Sequence, residues 1–107
     1  MNTRHPGEIL YEDFLLPRKL SMGRLAALTG MEKSHIYQLK KKKINITPNT
    51  AMRLGVYFKT GMRYWLLLQV EYDVALAEST GLFKAVENSI AQLAAQHEPK
   101  SIQYDLS

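Results

Sequence analysis

The stretch that decides the fold spans residues 21–39 and reads SMGRLAALTGMEKSHIYQL. It predicts two short helices joined by a tight turn, which is the geometry of a helix-turn-helix. Ser21 is suited to cap the first helix, and Gly30 adopts cheaply the left-handed conformation that ends it. Ala26 is small where the helices would cross, and three apolar residues are expected in the core: Leu25, Ile36 and Leu39. A plain helical hairpin within a bundle is the alternative interpretation.

Proline and cap signals predict helices on either side of this motif. Pro6 suits the first position of a helix with apolar residues at helical spacing, and Pro17 is expected to end it. Thr47 before Pro48 is a strong start signal for a fourth helix, because the threonine hydroxyl can cap it and proline gives up only an unpartnered donor. That helix is expected to run to about Lys59.

The fifth predicted helix, residues 62–78, is apolar on two opposite sides. At 100° per residue, Trp65 falls on one side, and Leu67, Val70 and Val74 fall on the other. A single core covers only one side, so the second side is expected to meet another subunit or the carboxyl-terminal segment. We predict a homodimer contact through Leu67, Val70 and Val74, on the second of these sides.

A break at residues 79–81 is followed by an amphipathic pattern that predicts a sixth helix. Its apolar residues are Leu82, Val86, Ile90 and Leu93. Strand-like alternation is not evident. We therefore predict an all-α protein, with a five-helix helix-turn-helix domain over residues 1–78 and a C-terminal helical extension with a short polar tail over residues 79–107.

Composition and charge narrow the function further. The chain has 107 residues and no cysteine, which argues against a multi-domain enzyme, a disulfide framework and thiolate chemistry. Neither a membrane span nor a secretory signal is evident, so a soluble cytoplasmic protein is expected. Residues 1–60 hold 11 lysines and arginines against 4 acidic residues, whereas the remainder holds 3 against 6. This asymmetry indicates a polyanionic partner for the first part.

Catalysis is the poorest interpretation of this sequence. The three histidines, His5, His35 and His97, lie far apart in the chain, and metal-ligand spacing is not evident. Glu71 and Asp73 are best interpreted as solvated side chains or as partners of arginines across a subunit contact. We therefore expect no catalytic residue, no metal and no cofactor.

Three further stretches share a resemblance to one family. They are HPGEILYEDFL at residues 5–15, ITPNTAMRLGVYF at 46–58 and YWLLLQVEYDVALA at 64–77. Together with the motif above, they resemble the HigA-type, or VapI-like, antitoxins of the phage-repressor-like (XRE/Cro-type) helix-turn-helix class. The resemblance implies a homodimer that binds double-stranded DNA at a palindromic operator, represses its own operon and neutralises a cognate toxin, commonly a small ribonuclease. It also implies that Trp65 lies in the hydrophobic core.

The third helix is then expected to enter the major groove. The residues predicted to contact bases are Lys33, Ser34, Tyr37 and Gln38. The residues predicted to contact phosphates are Ser21, Arg24, Lys41, Lys43 and Asn45. His35 is interpreted either as a base contact or as a structural residue. The side chain of Glu32 is expected to cap the third helix.

The sequence departs from the family pattern at three places: at Met22, at Glu32 together with Lys41 and Lys42, and in the segment from Leu82 onward, which has no firm counterpart in the family. Met22 stands where many members carry a phosphate-binding glutamine, and Glu32 stands where they show serine. Lys41 and Lys42 replace an asparagine and a glycine, so we expect the tight glycine turn after the third helix to be lost. Two alternative functions therefore stay open: a stand-alone repressor without a toxin, and an interaction adaptor that has lost operator binding.

Overall fold

The computed structural model describes residues 3–97, which form six helices and no strand. The helices are α1 (6–18), α2 (Met22–Thr29), α3 (Lys33–Lys40), α4 (Pro48–Phe58), α5 (Met62–Ser79) and α6 (Leu82–His97). The all-α prediction is confirmed, including the sixth helix. The predicted polar tail lies outside the described residues.

Helix α1 contains one segment with wider turns than an α-helix. It runs through Pro6–Ile9, continues as a π-helix over Leu10–Leu15 and closes with Leu16–Arg18. The prediction that Pro17 ends this helix is wrong by one residue, because Arg18 is still helical and Lys19 takes the left-handed conformation at φ 52°. In the wide register the amide of Leu16 bonds to Tyr11 O, five residues back, which relieves the clash that normally stops a helix at proline.

The start of α1 is closed by a reciprocal pair of hydrogen bonds. The amide of Gly7 donates to Nδ1 of His5 at 2.9 Å, and the amide of His5 donates to Oε1 of Glu8 at 3.0 Å. The imidazole is almost fully buried, and the edge of its ring meets Tyr72 with the centroids 4.9 Å apart. Burial lowers the pKa of His5 below its ordinary value, and the nearby positive charge of Lys42 lowers it further, while Glu8 opposes the shift.

This cap predicts a loss of stability in acid. Because the folded pKa of His5 is depressed, the unfolded chain binds more protons below about pH 6.5, so the stability from the neutral ring is complete above that pH and is lost as the pH falls. We expect the free energy of unfolding, measured with urea, to fall between pH 7.5 and 5.5. His5→Asn keeps a capping acceptor but removes the titration, so its curve should be flatter. His97→Asn, at an exposed position, should behave as the wild type; parallel curves for all three proteins would contradict the prediction.

The helix-turn-helix prediction is confirmed in its details. The hydroxyl of Ser21 accepts a hydrogen bond from the amide of Arg24 at 3.0 Å, and Gly30 ends α2 with φ 72°. The three predicted core residues are fully buried, namely Leu25, Ile36 and Leu39. This packing fixes α3 against α2 and leaves the polar side of α3 facing away from the core.

Helix α5 covers the core with one side only. Trp65 is fully buried beside Phe14, with the ring centroids 4.9 Å apart, so its assignment to the core is confirmed. One turn later, Oε1 of the buried Gln69 accepts from the amide of Ile46 at 2.7 Å, and its Nε2 donates to Asp73 at 2.9 Å. Asp73 is exposed to solvent, and its carboxylate is engaged by Gln69 of the same chain. No arginine among the described residues pairs with it.

The contacts divide the chain into two compact units, Met1–Ala75 and Leu76–Ser107. Helix α5 crosses this boundary. The second unit contains α6, in which no residue is buried. No described helix is both long and apolar enough to cross a membrane.

Candidate nucleic-acid interface

The outward side of α3 carries all four predicted base-contact residues. Ile36 and Leu39 anchor the helix in the core, and the helical period then turns the polar residues outward. All four of these residues are exposed: Lys33, Ser34, Tyr37 and Gln38. Three of them share one shallow depression with two predicted phosphate contacts, so its lining is Ser34, Tyr37, Gln38, Lys41 and Lys43. Lys33 does not line this depression.

The four consecutive lysines at the end of α3 and just after it make different contacts. Lys40 lies over the ring of Tyr11, with Nζ 4.0 Å from the centroid, and Lys42 pairs with Glu8 at 3.5 Å. Lys41 lies over Tyr37 at 5.5 Å and stays exposed, as Lys43 does. Two of the four ammonium groups are therefore held by α1, and the two in the depression are those predicted to contact phosphates.

The turn after α3 corrects one expectation. Lys42 adopts the left-handed conformation at φ 63°, its amide donates to Leu39 O at 3.0 Å, and the amide of Lys43 donates to Gln38 O at 2.9 Å. These two bonds form the Schellman motif, which usually requires glycine at the left-handed position. The tight turn is thus kept without a glycine, because the hydrogen bonds and the pair with Glu8 hold Lys42 in a strained conformation.

This strain predicts a stabilising substitution. Lys42→Gly removes the steric penalty of a side chain at positive φ, and we expect the free energy of unfolding to rise by about 1 kcal/mol. Loss of the exposed pair with Glu8 offsets only part of that gain. Lys41→Gly is the matched control, since Lys41 has φ −80° and gains nothing from glycine. A destabilised Lys42→Gly protein in urea unfolding would contradict the assignment of strain.

The structure supports one of the two roles considered for His35 and contradicts the role predicted for Glu32. His35 Nε2 lies 3.0 Å from Thr50 Oγ1, and the ring is half-buried, so the structure favours its structural role of joining α3 to α4. Glu32 occupies the position just before α3, but its side chain makes no capping hydrogen bond, so that prediction is wrong. Glutamate has one methylene more than the aspartate and asparagine that cap well, which carries its carboxylate past the free amides.

The remaining predicted phosphate contacts lie on the surface around α2 and after α3. Ser21, Arg24 and Asn45 are exposed, although the Ser21 hydroxyl is already engaged as the cap of α2. Met22 is partly buried against the core, so the position that is often glutamine in the family contributes packing here.

One structurally important residue escaped prediction. Arg53 on α4 donates from Nη1 to Thr29 O at 2.8 Å, beside the turn at Gly30, and from Nε to Asn49 Oδ1 at 2.9 Å. The spacing of Asn49 and Arg53 signals the second bond, but only the fold brings Arg53 to Thr29. Helix α4 thus holds both helices of the motif, through Arg53 to α2 and through Thr50 to α3.

The predicted dimer residues also lie on the surface. Leu67, Val70 and Val74 are each about half exposed on α5. Leu67 and Val70 line an open apolar depression with Met62, Arg63 and Leu66. Among residues 3–97, no group of three or more histidine or acidic side chains lies close enough together to hold a metal ion.

Comparison with known proteins places this arrangement in a family. No model of a known protein family matches the chain. Virulence-associated protein I of Dichelobacter nodosus is 40% identical over 78 residues, which are 73% of this chain and 72% of that protein. The antitoxin HigA of Pseudomonas aeruginosa, solved with the higBA promoter, superimposes with a TM-score of 0.71 at 29% identity, covering 94% of this chain and 100% of that one.

A second solved structure agrees with these two. An addiction module antidote protein of the HigA family from Coxiella burnetii has a TM-score of 0.74 at 29% identity and covers 97% of this chain and 100% of that one. The chain therefore belongs to the HigA-type, VapI-like family of helix-turn-helix regulators.

Proposed function

We propose that the chain is a sequence-specific DNA-binding antitoxin that represses its own operon and neutralises a cognate toxin, a small ribonuclease. The observation that carries this proposal is the outward side of α3, where polar side chains suited to base edges stay exposed beside Lys41 and Lys43. The HigA of Pseudomonas aeruginosa, with a similar fold over nearly its whole length, was solved with its promoter. Such a protein acts in the cytoplasm, where bacterial DNA is accessible.

The side chains on the outward side of α3 are suited to contact different bases. The amide of Gln38 can pair with adenine through both of its polar atoms, and Lys33 can donate to O6 and N7 of guanine. Ser34 can donate or accept and so adapts to either kind of base. Tyr37 presents its ring and hydroxyl to the same groove, and the ammonium group of Lys41 lies over its ring.

The surrounding residues hold the helix in register on the duplex. We assign phosphate contacts to the residues flanking the groove, namely Ser21, Arg24, Lys41, Lys43 and Asn45. They fix the position of α3 without reading sequence, and each neutralised phosphate adds to the salt dependence of binding.

A palindromic operator requires two copies of the chain. Half-sites in adjacent major grooves lie about 34–36 Å apart, so a two-fold dimer must present two α3 helices at that spacing. We assign the contact between subunits to Leu67, Val70 and Val74 on α5, whose apolar side chains are each about half exposed. In this proposal residues 1–78 bind DNA and dimerise, and residues 79–107 form an extension.

The division between base and phosphate contacts is testable with two variants. Gln38→Ala should relax the preference at one base pair, because it removes a bidentate base contact. Lys41→Ala should weaken binding to every sequence alike and reduce the slope of log K against log salt by about one. Fluorescence anisotropy with the upstream DNA and single-base variants measures both effects, and Lys84→Ala, on α6, is the control. Equal effects of Gln38→Ala and Lys41→Ala on all sequences would contradict the assignment.

The neighbouring reading frame separates the antitoxin from a stand-alone repressor. A small co-transcribed frame whose product co-purifies with this chain, and loses ribonuclease activity in the complex, is the expected result. Absence of salt-sensitive binding to the upstream DNA would instead favour an interaction adaptor.

A further inference from the structure

The carboxylate of Glu32 has no partner in the protein, although it stands at the start of the helix proposed to enter the major groove. Its side chain is exposed, caps no amide of α3, and forms neither a hydrogen bond nor an ion pair within residues 3–97. A negative charge here opposes DNA binding, because the phosphates that flank the groove repel it. A hydrogen-bond donor in the DNA would offset that repulsion.

Both nearby cationic side chains are directed elsewhere. The side chain of Lys33 runs toward α2, where its Cδ lies 3.8 Å from the position that a Cβ atom on Gly23 would take. Arg53 lines the same polar depression as Glu32, but its Nη1 and Nε both donate to acceptors on α2 and α4. The protein therefore leaves this carboxylate available to a donor outside the chain.

We infer that Glu32 recognises a cytosine in the operator by accepting a hydrogen bond from its exocyclic amine, N4. The inference rests on the proposed function and adds a fifth specificity-determining residue to the four on α3. In a helix-turn-helix, the amino-terminal residues of the recognition helix contact base edges. Glu32 directly precedes the first residue of α3, Lys33, and its side chain is long enough to reach past the end of the helix.

The hydrogen-bond pattern of the major groove identifies the base. A carboxylate only accepts, and cytosine offers the donor N4 with no acceptor beside it. Guanine presents the acceptors N7 and O6, and thymine presents the acceptor O4, so both repel a carboxylate. Adenine offers a donor at N6, but its acceptor N7 lies next to that donor. Cytosine is therefore the base that the carboxylate favours.

The length of the side chain decides between capping and base recognition. Aspartate or asparagine at this position caps a helix, because the short side chain folds back onto the free amides of the first turn. The additional methylene of glutamate carries the carboxylate past these amides, and Glu32 makes no such bond. Shortening the side chain by one carbon should therefore exchange base recognition for capping.

The first test measures base preference in the full-length chain by fluorescence anisotropy with single-base variants of the upstream DNA. The wild type should prefer cytosine at one base pair of each half-site by about 10-fold over any other base. Glu32→Ala should reduce that preference to about twofold or less, and it should bind the other variants more tightly because a charge repelled by phosphates is gone. Glu78→Ala, which removes the same charge from the last turn of α5, should leave every preference unchanged.

The second test deletes one functional group from the DNA. Replacing that cytosine by its pyrimidinone analogue removes the N4 amine, so the affinity of the wild type should fall about 10-fold and that of Glu32→Ala by less than about twofold. The analogue also weakens pairing with guanine, but it does so for both proteins. The ratio of the two losses therefore isolates the contact between Glu32 and N4.

The third test exchanges one role for the other. Glu32→Asp should cap α3 and raise the midpoint of thermal unfolding by about 4 °C, while the preference for cytosine falls as it does in Glu32→Ala. A preference for cytosine that both variants retain in full would overturn the inference.

The outcomes separate this inference from the proposed function. A wild type that binds the upstream DNA without base preference and without salt dependence would remove the proposed function itself. A wild type with clear base preferences that Glu32→Ala leaves unchanged would overturn only the role of Glu32. Loss of a single cytosine preference in Glu32→Ala, together with tolerance of the pyrimidinone analogue, supports it.

Discussion

Replacing Gly7 with alanine should destabilise the protein by about 3 kcal/mol or more, among the largest effects of adding one methyl group to this chain. Gly7 lies in the first turn of α1, where that helix packs against the end of α3. A Cβ atom there would overlap the carbonyl carbon and oxygen of Leu39. These are backbone atoms of a fully buried residue, so no side-chain rotation relieves the clash and one helix must move.

The same displacement should impair DNA binding. Leu39 anchors the end of α3, and the lysines proposed to contact phosphates follow within four residues, so a shift of α1 against α3 moves them together. We expect thermal unfolding to shift by roughly 15 °C and operator affinity to fall.

Gly23→Ala is the matched control for this substitution. A Cβ atom at Gly23 would meet only the flexible side chain of Lys33, at 3.8 Å, and alanine is the better helix former on α2. It should therefore leave the stability unchanged or raise it by up to about 1 kcal/mol. Equal stability of Gly7→Ala and the wild type would refute the close packing of α1 on α3.

Local signals in the sequence were sufficient for most helix boundaries. Ser21 and Thr47 cap their helices with the predicted hydroxyl groups, and Gly30 takes the predicted left-handed conformation, because each signal acts within four residues of itself. The burial of Trp65 was expected from the family resemblance, because helical spacing alone gave two opposite apolar sides to the fifth helix. Interactions between residues so close in sequence can be predicted before the fold is known.

The errors arose where the outcome depended on backbone register or on a distant partner. Pro17 is helical because the preceding segment is π-helical, and Lys42 makes a glycine-like turn because hydrogen bonds hold it there. The bond between His35 and Thr50 joins residues 15 apart. Exposure on α3 is compatible with the predicted base contacts, but which base each side chain meets stays a prediction, because it depends on the geometry of bound DNA.

The second large effect is expected at a side-chain hydrogen bond that joins α5 to the loop after α3. Gln69 on α5 accepts from the amide of Ile46 at 2.7 Å, although the two residues are 23 apart in sequence, and both are buried. Gln69→Leu has a similar volume but no acceptor, so the Ile46 amide is left buried and unpaired. We expect a loss of about 2–3 kcal/mol in the free energy of unfolding, measured with urea.

A pair of charge-swapped variants tests whether the bond, rather than the volume, is responsible. Gln69→Glu keeps the acceptor for Ile46 but places a second carboxylate against Asp73, so it should also destabilise the fold. Adding Asp73→Asn restores a donor opposite that carboxylate and should recover most of the loss. Because Ile46 directly follows Asn45 and lies three residues after Lys43, Gln69→Leu should weaken binding to every DNA sequence alike without altering base preference. A variant that kept full stability, or that changed preference at a single base pair, would show that this glutamine does not hold the loop in place.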